Sequence, residues 1–471
     1  MATLRPFQGV LYDPQRVDLS RVVAPPYDVI SPADQKRYYE QDPHNVVRLI
    51  AGEVRLSDTP EDNKYTRAAA FFREWLAHGI LRREASPRLY VYRHQFVDPI
   101  SGESRSRLGI MGVVELEPFG RAVLPHEQTH ARAKADRLSL TRAVVANLSP
   151  VFALYEDPQA AVGPIAAAAM AGPPRMSITT EDGDQHTIWS MEGGERFAQL
   201  AEVFNTSTLY MADGHHRYET ALNFRNYQRQ QHPEAPPDAA FNYVLMLLVD
   251  VRDPGLTILA THRVLHDLEG FDAGELVRRL SERHRVVPRS SRADLLAAMQ
   301  RDVPAPARGG QGGGHRIGIA FGESWYTIDI ERANAPDPVS GLDVSVLHAQ
   351  ILQRELGLAP AELEQERYLS YSRDVDVALE RVETGTAQAA FLLRPPAVQD
   401  VVEVARAGQV MPQKSTYFFP KPASGIVFNP LDAAIRISSF PPHLGEAEQT
   451  PPPLGEAEQT PPPLGEGRVG A

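Results

Sequence analysis

The chain has 471 residues, a formal charge of −12 and no cysteine. A single core does not grow to that length, so two or three lobes are expected. Disulfides, thiolate metal sites and cysteine nucleophiles are excluded, and the acidic balance disfavours non-specific binding of phosphate backbones. The tail from Pro441 onward carries five Glu and one Arg, which leaves about −8 on the rest. The start, Met-Ala-Thr-Leu-Arg-Pro-Phe-Gln, lacks the basic-then-apolar pattern of a secretory signal. The most apolar stretches, Tyr243–Val249 and Ala160–Gly172, fall short of the roughly 20 residues a spanning helix needs. A cytoplasmic protein without membrane segments is the expectation.

In chain order, Ser31 before Pro32, with Asp34 three residues on, predicts a capped helix start. Tyr65, Ala69, Phe72 and Leu76 recur at helical spacing, and Gly79 can close that helix. Leu89–Phe96 and Leu108–Leu116 read as a hairpin across Ser101-Gly102. A helix through Phe197, Leu200, Ala201 and Phe204 precedes an apolar strand, Leu209–Ala212. Asp213-Gly214 turns the chain into a helix over Arg217–Tyr227, and Tyr243–Val251 reads as a buried strand. Helix Arg292–Met299, a glycine-rich connection at Gly309–Gly314 and strands Arg316–Phe321 and Trp325–Ile330 follow. Val344, Leu347 and Ile351 mark a helix; Ala387–Leu393 is a strand and Val398–Ala407 a helix closed by Gly408. Beyond about Ser438, Leu-Gly-Glu-Ala-Glu-Gln-Thr-Pro-Pro-Pro occurs twice and a third copy begins. That composition predicts a disordered tail, whose protein partner the sequence does not specify.

The run Asp213-Gly214-His215-His216-Arg217 is the strongest chemical feature. A helix that starts after a tight glycine turn presents unpaired N–H groups and the positive end of a dipole, which favour an anion. Gly214 permits close backbone approach, His215 and His216 stand beside it, and Arg217 adds a bidentate cation. Asp213 can hold a metal ion such as Mg²⁺ or orient a histidine. The competing reading is an Asp cap with surface histidines.

His126-Glu127-Gln128-Thr129-His130 matches the zinc-protease pattern H-E-x-x-H, whose helical spacing sets two imidazoles on one face. Pro125 precedes it and no third ligand stands out, so a metal-dependent hydrolase centred on His126 and His130 is the weaker alternative. Lys134, Asp136 and Arg137 crowd the same stretch, with a solvated charged face as the plain alternative. Gly408 to Lys414-Ser415 is no phosphate loop, since Gln413 replaces the required glycine and Pro412 removes an N–H. Lys414 can still reach a phosphate. Thr261-His262-Arg263 is a weaker polar cluster for which a buried-edge or surface role is the first expectation and a place in the same cleft the second, and no G-x-S-x-G nucleophile elbow is present.

Several separated segments resemble one family. They are Val-Val-Ala-Pro-Pro-Tyr-Asp-Val-Ile, Leu-Pro-His-Glu-Gln-Thr, Lys-Ala-Asp-Arg, Ala-Asn-Leu-Ser-Pro, Ala-Asp-Gly-His-His-Arg-Tyr-Glu-Thr-Ala and Met-Pro-Gln-Lys-Ser-Thr-Tyr-Phe-Phe-Pro-Lys. The family is the prokaryotic domain-of-unknown-function family one thousand and fifteen, labelled SpoOJ/ParA/ParB-like, and the resemblance runs from about Leu4 to Gly425. Asp213–Tyr218 is also similar to the phosphate-contacting motif of the ParB/sulfiredoxin superfamily, which includes sulfiredoxin, CTP-dependent ParB clamps and free-serine kinases. Sulfiredoxin chemistry needs a cysteine, and a ParB clamp needs a DNA-binding module that is not visible here.

The resemblance therefore implies an α/β (α+β) protein of mixed-sheet lobes. The expected parts are an N-terminal α/β region over 1–160, a ParB/sulfiredoxin-like phosphate-binding core over 161–270, a C-terminal α/β lobe over 271–437 and the tail over 438–471. It further implies a phosphotransferase or phosphatase-like enzyme using Mg²⁺ and a nucleoside di- or triphosphate on a small hydroxylated metabolite of the serine or phosphoserine type. Glu127, Asp213 and His216 are the expected catalytic residues. Gly214, His215, His216, Arg217, Lys134, Arg137 and Lys414 are the expected phosphate or nucleotide ligands, and Asp213 the metal ligand. A non-catalytic, ParB-like nucleotide-dependent regulatory module is the alternative.

Overall fold

A computed structural model describes residues 2–128, 131–301, 314–331 and 336–437. Thr129, His130, most of the Gly309–Gly314 stretch and the repeat tail from 438 lie outside the described residues.

The hairpin expected across Ser101-Gly102 forms as strands Leu89–Val97 and Ser104–Glu115, paired antiparallel. It lies at the heart of a nine-stranded mixed sheet. From one edge the order is Val123–Leu124, Leu209–Asp213, Val151–Tyr155, Tyr243–Asp250, Ser104–Glu115, Leu89–Val97, Gln185–Met191 and Met176–Thr179, with Leu4–Arg5 paired beside the end of Ser104–Glu115. Strands on both sides of residue 160 share this one sheet.

Side chains alternate faces along a strand, and the sheet uses both faces. Val151, Ala153, Tyr155, Met211, Met246 and Leu248 point into a core that helices Val162–Met170, Glu195–Thr206 and His215–Gln231 cover with Ile165, Leu200, Phe204 and Tyr218. Phe152, Leu154, Tyr210, Ala212, Leu245 and Leu247 point the other way, into a core continuous with the second sheet. Each fully buried side chain of this size contributes about 1.5–3 kcal/mol, so both faces are needed to hold the sheet.

The second sheet is antiparallel throughout, in the order Arg285–Arg289, Ser324–Ile330, His315–Phe321, Ala389–Leu392, His262–Leu265, Leu369–Ser372. Between the sheets runs a short ribbon, Thr257–Leu259 paired with Tyr417–Phe419. Phe418 from that ribbon packs edge-on against Phe152 of the large sheet, 5.7 Å between ring centroids. This ribbon carries the C-terminal segment onto the end of strand Leu209–Asp213.

Helix starts follow the sequence signals. Ser31 and Asp34 form a reciprocal capping box, Asn63 caps Lys64–Ala77, and Gly79 adopts φ +69° just past its end. Trp75 and Phe72 of that helix meet Tyr12 and Phe428 in a separate N-terminal core. The helix expected from Arg217 starts two residues earlier, at His215, because Gly214 takes a left-handed φ of 91° and turns the chain at once. The helix through Val344 and Ile351 is α-helical only to Val346 and then widens into a π-helix over Leu347–Gln353. Leu356 accordingly donates its N–H to the Ile351 carbonyl, five residues back.

Candidate active site

Asp213 ends strand Leu209–Asp213, and His215–Gln231 begins one residue later, so the motif sits where a strand gives way to a helix. This junction floors a cleft of about 440 Å³. Asp213, Gly214, His215, His216 and Arg217 all line it, joined by Glu127 and Lys414. Thr261 reaches it as well.

Asp213 is the electrostatic centre. One carboxylate oxygen accepts from Arg217, one turn along the helix, and the other lies 2.5 Å from the Lys421 ammonium. Lys421 also pairs with Asp28, and Arg217 donates a second bond to the Pro150 carbonyl. Burial pushes the Asp213 carboxyl up, but Lys421 and Arg217 together pull it well below the usual carboxylate range. Burial likewise opposes the charge on Lys421, and Asp213 with Asp28 raises it above the usual lysine value. Both groups are therefore charged at neutral pH.

The motif's glycine is a requirement of this network. Gly214 has φ 91°, and a Cβ there would stand 3.0 Å from the Arg217 guanidinium.

His126 lies at a bend and not on a helix, which removes the helical face that a zinc-protease reading needs. Its Nδ1–H donates to the Met211 carbonyl at 2.7 Å, and its Nε2 accepts from the Thr416 hydroxyl at 2.8 Å. Burial pushes this ring down to about 4, so it is neutral. With both nitrogens bonded inside the protein, His126 is a structural link and no open metal ligand. His130 lies outside the described residues. His126 donates its backbone N–H to His215 Nε2 at 3.3 Å, and the two rings meet edge-on. Burial, and then the neighbouring His126, holds His215 well below its ordinary value.

Glu127 is the chemically distinct carboxyl. Burial pushes it up against the pull of Lys414, while Asp213 adds to the rise. Lys414 sits at a left-handed backbone position, φ 56°, in the turn Met411–Thr416. Two contacts hold that turn: Met411 donates to the His126 carbonyl at 2.8 Å, and Arg263 donates to the Gln413 and Lys414 carbonyls. Arg263 is 1% exposed, so the polar cluster around it supports the cleft from behind while Thr261 lines it.

Two expected phosphate ligands lie elsewhere. Lys134 pairs with Glu219 at 2.8 Å. Arg137 bonds Asp136 and the Ile50 carbonyl and lies 3.9 Å over the Tyr27 ring. Neither lines the cleft. Asp28, Arg373, Tyr417 and Lys421 do line it and were not singled out from sequence. Asp28 and Lys421 fall within two of the segments that carried the family resemblance, which was the available signal.

The Mg²⁺ expectation on Asp213 does not fit this geometry. Both its oxygens already hold cations, and a divalent ion there would face the Lys421 ammonium and the Arg217 guanidinium across one carboxylate. The charged side chains that line the cleft are Arg217, Arg373, Lys414 and Lys421, against the acids Asp28, Glu127 and Asp213.

Fold and site together define a mixed α/β protein with a cleft that opens on a helix start and is lined by both cations and acids. The chain belongs to the family described as protein of unknown function (DUF1015), whose model matches residues 4–345. No curated protein matches it in sequence. Among solved structures it is similar to a conserved hypothetical protein from Pyrococcus furiosus, at 15% identity and TM-score 0.32, over 66% of this chain and 93% of that one. It is similar also to a free serine kinase in complex with AMP, at 15% identity and TM-score 0.31, over 65% and 86% of the two chains. A third is SbnI with a C-terminal truncation from Staphylococcus aureus, at 10% identity and TM-score 0.30, over 66% and 84%. No helix among the described residues is long and apolar enough to cross a membrane.

Proposed function

We propose that the cleft binds the phosphates of a nucleotide and that the protein transfers a phosphoryl group between that nucleotide and the hydroxyl of a small metabolite. The observation that carries this reading is the placing of Glu127, a carboxyl of raised proton affinity, in the same cleft as Lys414, Lys421, Arg373 and the start of helix His215–Gln231. Phosphoryl transfer demands positioning and charge compensation more than covalent chemistry. The helix start and Lys414 supply the compensation; Asp213 holds Arg217 and Lys421 in fixed places, so they need no reorganisation when the anion arrives. Glu127 serves as the base that takes the acceptor hydroxyl's proton, a task its raised value suits. Asp213 and His216 act in positioning the ring of donors around the phosphates. The acceptor is a small hydroxylated metabolite of the serine or phosphoserine type.

Glu127→Gln tests this. With nucleotide and a panel of hydroxylated metabolites, turnover should fall by about 10²-fold or more. Nucleotide affinity by calorimetry should stay within about threefold of wild type. Turnover undiminished in the variant removes Glu127 from the chemistry. A wild-type protein that binds nucleotide but phosphorylates no acceptor overturns the transferase reading.

A further inference from the structure

A second cavity of about 350 Å³ adjoins the cleft and shares Val29, Tyr417 and Lys421 with it. Its walls include Tyr38, Tyr417 and Phe419, and its polar groups include His94, Asp184 and His186 on one part, with Arg37, Gln41, Glu181 and Asp182 on another, where Arg37 and Gln41 both bond Glu181. The histidines are 1% and 3% exposed, with ring centroids 4.2 Å apart. Their ligand atoms and the carboxylate lie within 4.8 Å of one another, a spacing that would suit a metal ion.

The hydrogen bonds argue otherwise. Arg107 points an N–H at His94 Nδ1 from 3.3 Å, and a guanidinium cannot accept, so Nδ1 is the unprotonated nitrogen. The proton therefore sits on Nε2 and is donated to Asp184 Oδ2 at 2.9 Å. A metal on Nε2 would displace that proton with a buried cation facing the other side of the ring. His186 is fixed through Nδ1 by the Tyr92 hydroxyl at 2.7 Å. The two rings are thus neutral, oriented groups, and Asp184 keeps Oδ1 as an acceptor at the edge of the cavity.

Building on the nucleotide reading above, we propose that this cavity takes the aminopurine base, with Asp184 accepting a hydrogen bond from its exocyclic amino group while the phosphates reach past Tyr417 and Lys421 into the cleft. Tyr38, Tyr417 and Phe419 offer aromatic surface and the polar groups around them offer hydrogen-bonding partners, a mix that suits a heteroaromatic ring. The cavity is far larger than a three-carbon acceptor requires. A carboxylate as the reading group selects a base that offers a donor and rejects one that offers a carbonyl in its place.

The test is calorimetry on the full chain with four probes: adenosine triphosphate, guanosine triphosphate, inosine triphosphate and inorganic tripolyphosphate. Inosine lacks the amino group of either other base. One of the two amino-bearing nucleotides should bind about tenfold or more tightly than the inosine nucleotide, as expected for a hydrogen bond to a charged group. Asp184→Ala should erase that preference and leave tripolyphosphate affinity unchanged; Asp184→Asn should weaken the preference without affecting tripolyphosphate. Tripolyphosphate binding with no preference among the nucleotides overturns the base pocket and leaves the phosphate reading standing. Failure of all four probes overturns both. A preference that survives Asp184→Ala, or stoichiometric zinc that is retained by wild type and lost in His186→Ala, also overturns the base pocket.

Discussion

Replacing Asp213 with Asn keeps the shape of the side chain and removes the charge that two cations share. Asp213, Arg217 and Lys421 have side chains only 14%, 12% and 9% exposed, so solvent cannot take over the lost partner. Lys421 would retain only Asp28, which is 36% exposed, and Arg217 only a carbonyl. Leaving a buried charge without its partner costs about 3–5 kcal/mol, a large part of the roughly 5–15 kcal/mol that holds a typical domain folded. Urea unfolding, followed by both tryptophan fluorescence and circular dichroism, should show a loss of that size in Asp213→Asn. Adding Lys421→Met should cost less than the two single losses summed, by about 1.5–3 kcal/mol, because the second change removes the stranded cation. A loss under about 1 kcal/mol in the single variant, or strict additivity in the double, refutes the view that Asp213 is the centre of the network.

Gly214→Ala should destabilise the protein by about 1–2 kcal/mol, since the left-handed backbone penalises a Cβ. The added methyl also meets the Arg217 guanidinium, so tripolyphosphate affinity should fall in parallel; equal urea midpoints would show that the turn relaxes freely. His126 makes a pH prediction. The fold holds its ring at about 4 against 6.5 for a free histidine, so the unfolded chain takes up a proton first as pH falls. Stability present above 6.5 is then lost on the way down to 4, by about 3 kcal/mol in all from this group. His126→Gln should show a shallower fall of unfolding midpoint over that window; an identical slope would refute the assignment.

The motif at Asp213–Arg217 was legible because its parts are local. A strand that ends in Asp-Gly and a helix that follows fix the neighbours within one turn, and the left-handed Gly214 turn brings Arg217 of the helix's first turn back onto Asp213. The long-range partner was not. Lys414 drew notice for its likeness to a phosphate loop, whereas Lys421, seven residues on, forms the pair with Asp213. Only the ribbon between Thr257–Leu259 and Tyr417–Phe419 delivers it there, and strand pairing across the chain leaves no local signature. Arg137 failed in the opposite sense. Charge density in sequence cannot tell a cation facing solvent from one spent on Asp136 and the Tyr27 ring. The large sheet shows the same division. Its hairpin could be read from two strand-like runs around the Ser101-Gly102 turn, but the parallel neighbour relation of Val151–Tyr155 and Tyr243–Asp250 depends on a long crossover.

The internal pairing of Asp213 also decides what kind of chemistry the cleft can perform. A carboxylate open to solvent would invite a divalent ion and make that ion the main counter-charge. Here the acid is paired with Arg217 and Lys421, so on the proposed reading positive charge would reach a phosphate through side chains whose geometry is set before binding. Such a site has one acid left with a proton affinity suited to exchange, and that acid is Glu127. The consequence is a separation of labour that substitution can resolve. Changes at Asp213 should act on stability and on binding together, whereas changes at Glu127 should act on turnover alone. A variant series in which both positions moved the same quantities would mean that the two carboxyls form a single unit, and the base would then have to be sought elsewhere in the cleft.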